Sequence, residues 1–166
     1  MEQTNLYSTH LPLIRKLFSI IEKPKLVLEF GMGLYSTEFF IMNSEKTISI
    51  EMQSEEWFNN MIDKFKNFKN WEAHKLLGKD TYKEFNFIKP DISFIDGHGE
   101  TRPECVNLMM DLECPIIIAH DTETYTYGWD RVNTNNGYHS YIFKQYDVWT
   151  TLWSKNNEII KKIQNG

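Results

Sequence analysis

The sequence contains few cysteines, and the spacing of the two it has excludes the common cysteine-based scaffolds and sites. Cys105 and Cys114 are nine residues apart, so they form neither a disulfide framework nor a Cys-x-x-Cys metal or redox motif. We expect both to be reduced, buried residues of a cytoplasmic protein. No charged and then apolar leader opens the sequence, which agrees with that expectation.

Long apolar runs and an excess of positive charge are also missing. No stretch of 18 consecutive apolar residues occurs, so we expect no membrane-spanning segment. The 18 Lys and Arg residues are outnumbered by 23 Asp and Glu residues, which gives a net charge of −5. Because a nucleic-acid partner requires a basic face, we expect neither nucleic acid nor a membrane among the partners.

What remains is the composition of an ordinary globular protein, with strands and helices that alternate. We predict a single domain over residues 1–166 because a chain of 166 residues has the length of one domain. Hydrophobic residues make up 41% of it and charged residues 25%, which is usual for a globular protein. Strands are predicted at 25–30, 46–51, 71–77, 91–96 and 115–119, and helices at 10–23, 36–43, 54–66 and 102–112. Residues 81–87 are expected to form a short helix or a turn. One or two strands are expected within 141–153, and residues 156–163 fit a strand or a helix. This order predicts an α/β fold, a single doubly wound and mainly parallel sheet that binds ligands at the carboxyl ends of its strands.

The turn after the first predicted strand is the most informative segment. Glu29 is followed by Gly31 and Gly33, and Ser36 or Thr37 can cap the next helix. A dinucleotide fingerprint would need a third glycine where Ser36 stands. Glu29 would also repel a pyrophosphate, whereas a carboxylate there suits a cationic ligand.

The pattern E-x-G-x-G-x-x-[S/T] resembles motif I of the class I S-adenosylmethionine-dependent methyltransferases, and the resemblance extends over about residues 25–121. It implies a Rossmann-like fold and methyl transfer from S-adenosylmethionine to a small-molecule acceptor, with a hydroxyl as the expected acceptor group. It also implies that Glu29, Gly31, Gly33, Ser36 and Thr37 hold the cofactor.

Further cofactor contacts are expected after the second and third predicted strands. Glu51 ends the second strand about twenty residues after the glycine turn, where a carboxylate accepts hydrogen bonds from ribose hydroxyls. The resemblance makes Glu51 part of motif II and implies that Met52 lies against the adenine. It also suggests, on a looser match, that Asp80 contacts the adenine amino group.

Ionisable residues also follow the fourth and fifth predicted strands. Asp96-Gly97-His98 resembles a signature of small-molecule methyltransferases, which implies that Asp96 lies beside both the methionine moiety and the acceptor. His98 is a candidate base. His120 and Asp121 end the fifth strand, so Asp96, His120 and Asp121 are expected to act on the acceptor.

Two mechanisms remain open for this group. Asp96 and Asp121 match two metal-ligand positions of Mg²⁺-dependent O-methyltransferases, but His120 stands where an acidic residue is usual. Oxygen ligands suit Mg²⁺, whereas an imidazole suits a transition metal better. In the metal-free alternative, His120 is a general base that a neighbouring carboxylate orients.

The segment from 122 to 140 is polar and aromatic, without clear periodicity. Its aromatic residues are expected to stack on the acceptor, to form an oligomer contact or to pack as a small satellite core; they are Tyr125, Tyr127, Trp129 and Tyr138. Arg131 is a candidate anion ligand. This loop, the first helix or a neighbouring subunit of a homo-oligomer would close the acceptor pocket. Two other functions stay open: acceptor-free cleavage or cyclisation of S-adenosylmethionine, and a non-catalytic nucleoside-binding scaffold.

Overall fold

A computed structural model describes residues 8–134 and 136–165, so the ends of the predicted domain lie outside the described residues. One seven-stranded sheet runs through it in the order β3-β2-β1-β4-β5-β7-β6. The strands are β1 (Leu26–Phe30), β2 (Lys46–Glu51), β3 (Trp71–Lys75), β4 (Ile92–Ile95), β5 (Ile116–His120), β6 (His139–Phe143) and β7 (Thr150–Ser154). The helices are α1 (Leu11–Phe18), α2 (Ser36–Asn43), α3 (Glu55–Phe65), α4 (Arg102–Asp111) and α5 (Asn157–Asn165).

The first five strands pair in parallel, and β7 and β6 continue the sheet antiparallel. Strand order reverses between β1 and β4, which is the switch point where open α/β sheets bind ligands. The predicted mainly parallel, doubly wound sheet is therefore confirmed, and the two strands expected near the end of the chain are β6 and β7.

Both faces of the sheet are covered. Side chains of β1 alternate between the faces: Leu28 and Phe30 pack in one buried cluster with Val106 of α4, and Val27 packs in another with Leu17 of α1. Helices α2 and α5 contribute to the second cluster as well. Cys105 and Cys114 are free and buried, and the cytoplasmic location stays a prediction.

Three local expectations need correction. The first helix ends at Phe18 and not at residue 23. Just after Phe18, the Ser19 hydroxyl donates to the Lys16 carbonyl, 2.7 Å away, and this bond competes with the backbone hydrogen bonds of a continuing helix. The third strand ends at Lys75, and Gly78 follows with a φ of 134°. Residues 157–165 form a helix, so the strand alternative for 156–163 is wrong.

Among the described residues, no helix combines the length and the apolar character needed to cross a membrane.

Candidate functional site

A cleft of about 780 Å³ opens at the carboxyl ends of the central strands. Its walls come from the turn after β1, the start of α3 and the residues that follow β2, β4 and β5. Predicted site residues that line it are Gly31, Gly33, Glu51, Asp96, His120 and Asp121. The others, which do not line it, are Glu29, Ser36, Thr37, Met52, Asp80 and His98.

Gly31 allows two strands to approach each other. Its φ is 90°, and its N–H donates to the Ile50 carbonyl at 2.8 Å. A Cβ at this position would lie 2.5 Å from the carbonyl carbon of Asp96 and from the nitrogen of Gly97. Gly33 is not among the described glycines with positive φ, and a Cβ there would meet the Ser36 hydroxyl at 2.5 Å. The backbone therefore requires glycine most strictly at Gly31.

Glu29 is fully buried beneath this turn. Its carboxylate accepts hydrogen bonds from the hydroxyls of Ser36 at 2.6 Å, Thr37 at 2.7 Å and Ser49 at 2.6 Å. Burial raises the pKa of Glu29 to about 7, although these three hydrogen bonds lower it. The expected helix cap by Ser36 or Thr37 is wrong, because both lie inside α2 and donate to Glu29. The hydroxyls of Ser36, Thr37 and Ser49 thus connect the buried carboxylate of Glu29 to the start of α2 and to β2, and so fix the shape of the turn.

Glu51, the last residue of β2, lines the cleft. Its side chain is buried, and its Oε1 accepts from the backbone N–H groups of Gln53 and Ser54, both at 2.9 Å. Ser54 in turn caps α3 by accepting from the Trp57 N–H at 3.1 Å. These bonds hold the carboxylate in place where it faces the cleft, a geometry that fits recognition of ribose hydroxyls.

Two expected adenine contacts lie away from the cleft. Met52 is buried in the core beside Gly97, where its Sδ would be 2.9 Å from an added Cβ. Asp80 is on the surface, and its Oδ1 pairs with the Lys83 ammonium at 2.6 Å.

At the other end of the cleft, a buried arginine joins two carboxylates. Arg102, in the first turn of α4, places one guanidinium nitrogen 3.0 Å from Asp96 Oδ1 and the other 2.6 Å from Asp121 Oδ2. It also donates to the carbonyls of Gly97 and His120, and the Tyr127 ring lies over it at 5.1 Å. A Mg²⁺ ion held between Asp96 and Asp121 does not fit this arrangement, because the guanidinium already supplies the positive charge between them.

His120 lies between the two carboxylates and the N-terminal segment. Its Nδ1 is 3.4 Å from an oxygen of Asp96 and 3.4 Å from one of Asp121, and its Nε2 is 2.9 Å from the Thr9 hydroxyl. Burial lowers the pKa of His120, but the hydrogen bond and charge of Asp96, together with the charge of Asp121, raise it above its ordinary value. The same contacts and Arg102 hold the pKa of Asp96 below its usual value, although burial alone would raise it.

His10 is a second histidine in this wall. It directly precedes α1, is 2% exposed and lines the cleft. Its ring lies edge-on to His120 with centroids 4.8 Å apart and contacts Phe94 at 5.0 Å. Burial and the charge of His120 lower the pKa of His10 to about 3, although Asp96 raises it. Neither ring nitrogen has a hydrogen-bond partner among the described residues.

The aromatic loop after β5 packs mainly against the protein. Trp129 stacks on Trp153 and donates to the Asp121 carbonyl at 3.1 Å, and the Tyr138 hydroxyl donates to the Cys114 carbonyl at 2.7 Å. Tyr125, by contrast, is 87% exposed. Arg131 pairs with Glu104 outside the cleft. His98 is partly buried and also lies outside the cleft.

Sequence reasoning missed His10 and Arg102 as site residues. A signal existed for Arg102, because a positive charge in the first turn of a helix is opposed by the helix dipole and indicates a nearby anion. His10 carries no such signal in the sequence, since only the packing of α1 across the sheet brings it to His120.

No protein-family model matches the chain, and no curated protein matches it. Solved structures do resemble it. An O-methyltransferase from Bacillus cereus in complex with SAH is 15% identical at a TM-score of 0.66, over 92% of this chain and 83% of that one. A precorrin-6y C5,15-methyltransferase from Geobacter metallireducens is 14% identical at a TM-score of 0.67, and the match covers 89% of each chain. The O-methyltransferase TomG from Streptomyces achromogenes, in complex with SAM, is 15% identical at a TM-score of 0.62. That match covers 93% of this chain and 82% of TomG. The chain therefore has the Rossmann-like fold of class I S-adenosylmethionine-dependent methyltransferases.

Proposed function

We propose that this protein transfers a methyl group from S-adenosylmethionine to a hydroxyl of a small-molecule acceptor. One observation carries the proposal: a single cleft joins the fixed carboxylate of Glu51 to the ionisable group of Asp96, His120 and Asp121. Its volume of about 780 Å³ lies within the range of small-molecule and cofactor sites.

The cofactor fits the end of the cleft formed by β1 and β2. Gly33 lines the wall without a Cβ, so a ligand can approach the backbone there. Glu51, held by two backbone N–H groups, is oriented to accept hydrogen bonds from the ribose. The neighbours in complex with SAH or SAM support this choice of cofactor. S-adenosylmethionine, when bound, supplies an electrophilic methyl group on a sulfonium.

The acceptor belongs at the end formed by β4 and β5. Methyl transfer requires the acceptor oxygen to be held in line with the methyl group and to lose its proton. Asp96 and His120 line the cleft there, so we assign proton removal to this group. Arg102 keeps Asp96 and Asp121 in position through its two guanidinium nitrogens.

Calorimetric titration tests the cofactor assignment. We expect micromolar binding of S-adenosylmethionine or S-adenosylhomocysteine and negligible binding of NAD. Glu51→Gln keeps an oxygen for the N–H groups of Gln53 and Ser54 but loses the charge, and it should weaken binding about tenfold or more. Glu56→Gln, an exposed carboxylate on α3 outside the cleft, is the matched control and should bind as the wild type does.

Turnover assays then separate methyl transfer from the other reactions. S-adenosylhomocysteine should form only when a cell extract supplies an acceptor. Consumption of S-adenosylmethionine without extract would indicate cleavage or cyclisation instead. Retained binding without any turnover would identify a non-catalytic scaffold, and tight binding of NAD would reject the cofactor assignment.

A further inference from the structure

His10 is buried in the wall of the cleft without a partner for either ring nitrogen among the described residues. A buried polar group without a hydrogen bond destabilises the folded state, because it has lost its contacts with water. Such a group in a cleft wall indicates that a ligand completes its contacts. The ring faces His120, whose centroid is 4.8 Å away.

His10, Asp96 and His120 together form a possible donor set. Each offers one ligand atom, and these three atoms lie within 4.8 Å of one another. Ligands about 2.1 Å from a shared ion lie about 3–3.4 Å apart, so small side-chain rotations would bring them to binding distance. The contacts of Asp96 with Arg102 and His120 both run to Oδ1, which leaves Oδ2 for an ion.

We propose that His10, Asp96 and His120 bind a divalent transition-metal ion in the cleft. Two imidazole nitrogens and one carboxylate oxygen favour Zn²⁺, Fe²⁺ or Co²⁺ over Mg²⁺. Three protein ligands leave at least one coordination position open to a small molecule, as in catalytic zinc sites. This donor set differs from the Asp96 and Asp121 pair that the sequence suggests. Arg102 pairs with Asp121 at 2.6 Å, whereas its contact with Asp96, at 3.0 Å, uses Oδ1 and not the Oδ2 proposed for the ion.

The role of the ion rests on the proposed methyl transfer. Such an ion would lower the pKa of an acceptor hydroxyl and orient its oxygen. Asp96 and His120 would then act as ligands and not as the base, so the hydroxyl proton would leave to water; the new oxygen–carbon bond forms as the carbon–sulfur bond breaks, and the bonding electrons remain on sulfur. No oxidant or reductant is needed.

Metal binding can be measured without cofactor or turnover. Chelator-treated protein is titrated with Co²⁺, followed by its visible absorption, and with Zn²⁺ by calorimetry. We expect one ion per chain at micromolar affinity or tighter. His10→Phe keeps a ring against Phe94 but removes both nitrogens, and it should weaken binding about a hundredfold. His74→Phe is the matched control, because His74 is a partly exposed histidine on β3 outside the cleft, and it should bind like the wild type.

The outcomes separate this proposal from the proposed function. Absence of Co²⁺ absorption and of Zn²⁺ binding in the wild-type protein would overturn the metal site, as would undiminished binding in folded His10→Phe. If His10→Phe does not fold, the wild-type melting temperature decides: it should rise with Zn²⁺ and fall back with chelator, and no change overturns the site. Full transfer by chelator-treated protein would leave His120 as a metal-free base. Metal binding without binding of S-adenosylmethionine would refute the proposed function and keep the metal site.

Discussion

The two ends of the cleft hold their charges in different ways. At the end formed by β1 and β2, the hydrogen bonds are between residues close in the sequence. The buried Glu29 accepts from side chains 7, 8 and 20 residues further along the chain. Glu51 accepts from backbone N–H groups 2 and 3 residues further along. At the end formed by β4 and β5, charged side chains hold one another, and one contact, between Thr9 and His120, joins residues 111 positions apart.

Under the proposed function, this difference would distinguish the end that binds the cofactor from the end that carries the chemistry. Neutral donors around a carboxylate fix its geometry and leave little freedom, which suits recognition of a nucleoside. The other end combines a guanidinium, two carboxylates and two imidazoles. Such coupled ionisable groups are typical of sites that move protons or bind metals. Each prediction below perturbs one end and leaves the other as an internal reference.

The largest effect is expected from removing the charge that joins the two carboxylates. Arg102→Met leaves Asp96 and Asp121 without their buried partner, and breaking a buried ion pair in this way costs about 3–5 kcal/mol. Urea unfolding measures the loss. Arg131→Met is the matched control, since Arg131 pairs with Glu104 on the surface and its loss should change stability little. Equal stability of the two variants would show that the Arg102 contacts carry no net energy.

A smaller loss is expected at the glycine turn. Gly31→Ala forces a Cβ against the backbone of Asp96 and Gly97 at a φ of 90°, which should lower the free energy of unfolding by about 3 kcal/mol. Two causes contribute to this loss, the close contact and the positive φ, and Gly137→Ala separates them. Gly137 has a φ of 81° but nothing within 4 Å of an added Cβ. Only the conformational cost of about 1 kcal/mol should remain there. If the two variants lost equal stability, close approach of β1 and β4 would not be the reason for Gly31.

Glu29 should make stability depend on pH. Its pKa is raised to about 7 in the folded protein, mainly by burial, so the folded state binds this proton more tightly than the unfolded chain. The stability from Glu29 is therefore complete below the unfolded pKa, about 4.5, and is lost as pH rises through about 7, by an amount on the order of 3 kcal/mol. Glu29→Gln should remove this slope, which unfolding experiments between pH 4.5 and 8 will show. An unchanged slope in the variant would assign it to other groups.

The same difference explains what the sequence could predict. The strands, their parallel order and the positions of Gly31, Glu51 and Asp96 follow from local patterns, since hydrophobic periodicity and turn residues act over a few positions. The pairing of Asp96 and Asp121 with Arg102, and the approach of His10 to His120, depend on how helices pack on the sheet. Local patterns do not encode that packing. The burial of Met52 in the core beside Glu51 has a related cause, because it depends on the alternation of side chains at the end of β2.

The smallest effect is expected at Asp80, where the match to a cofactor contact was loosest. Its carboxylate lies on the surface and pairs with Lys83, three residues on, and it does not line the cleft. Exposed pairs of this kind contribute little to stability because water and salt screen them. Asp80→Asn should therefore leave the unfolding midpoint unchanged and shift the affinity for S-adenosylmethionine by less than about twofold, against the larger loss in Glu51→Gln. A loss at Asp80 as large as at Glu51 would mean that the loop after β3 closes over the adenine when the cofactor binds.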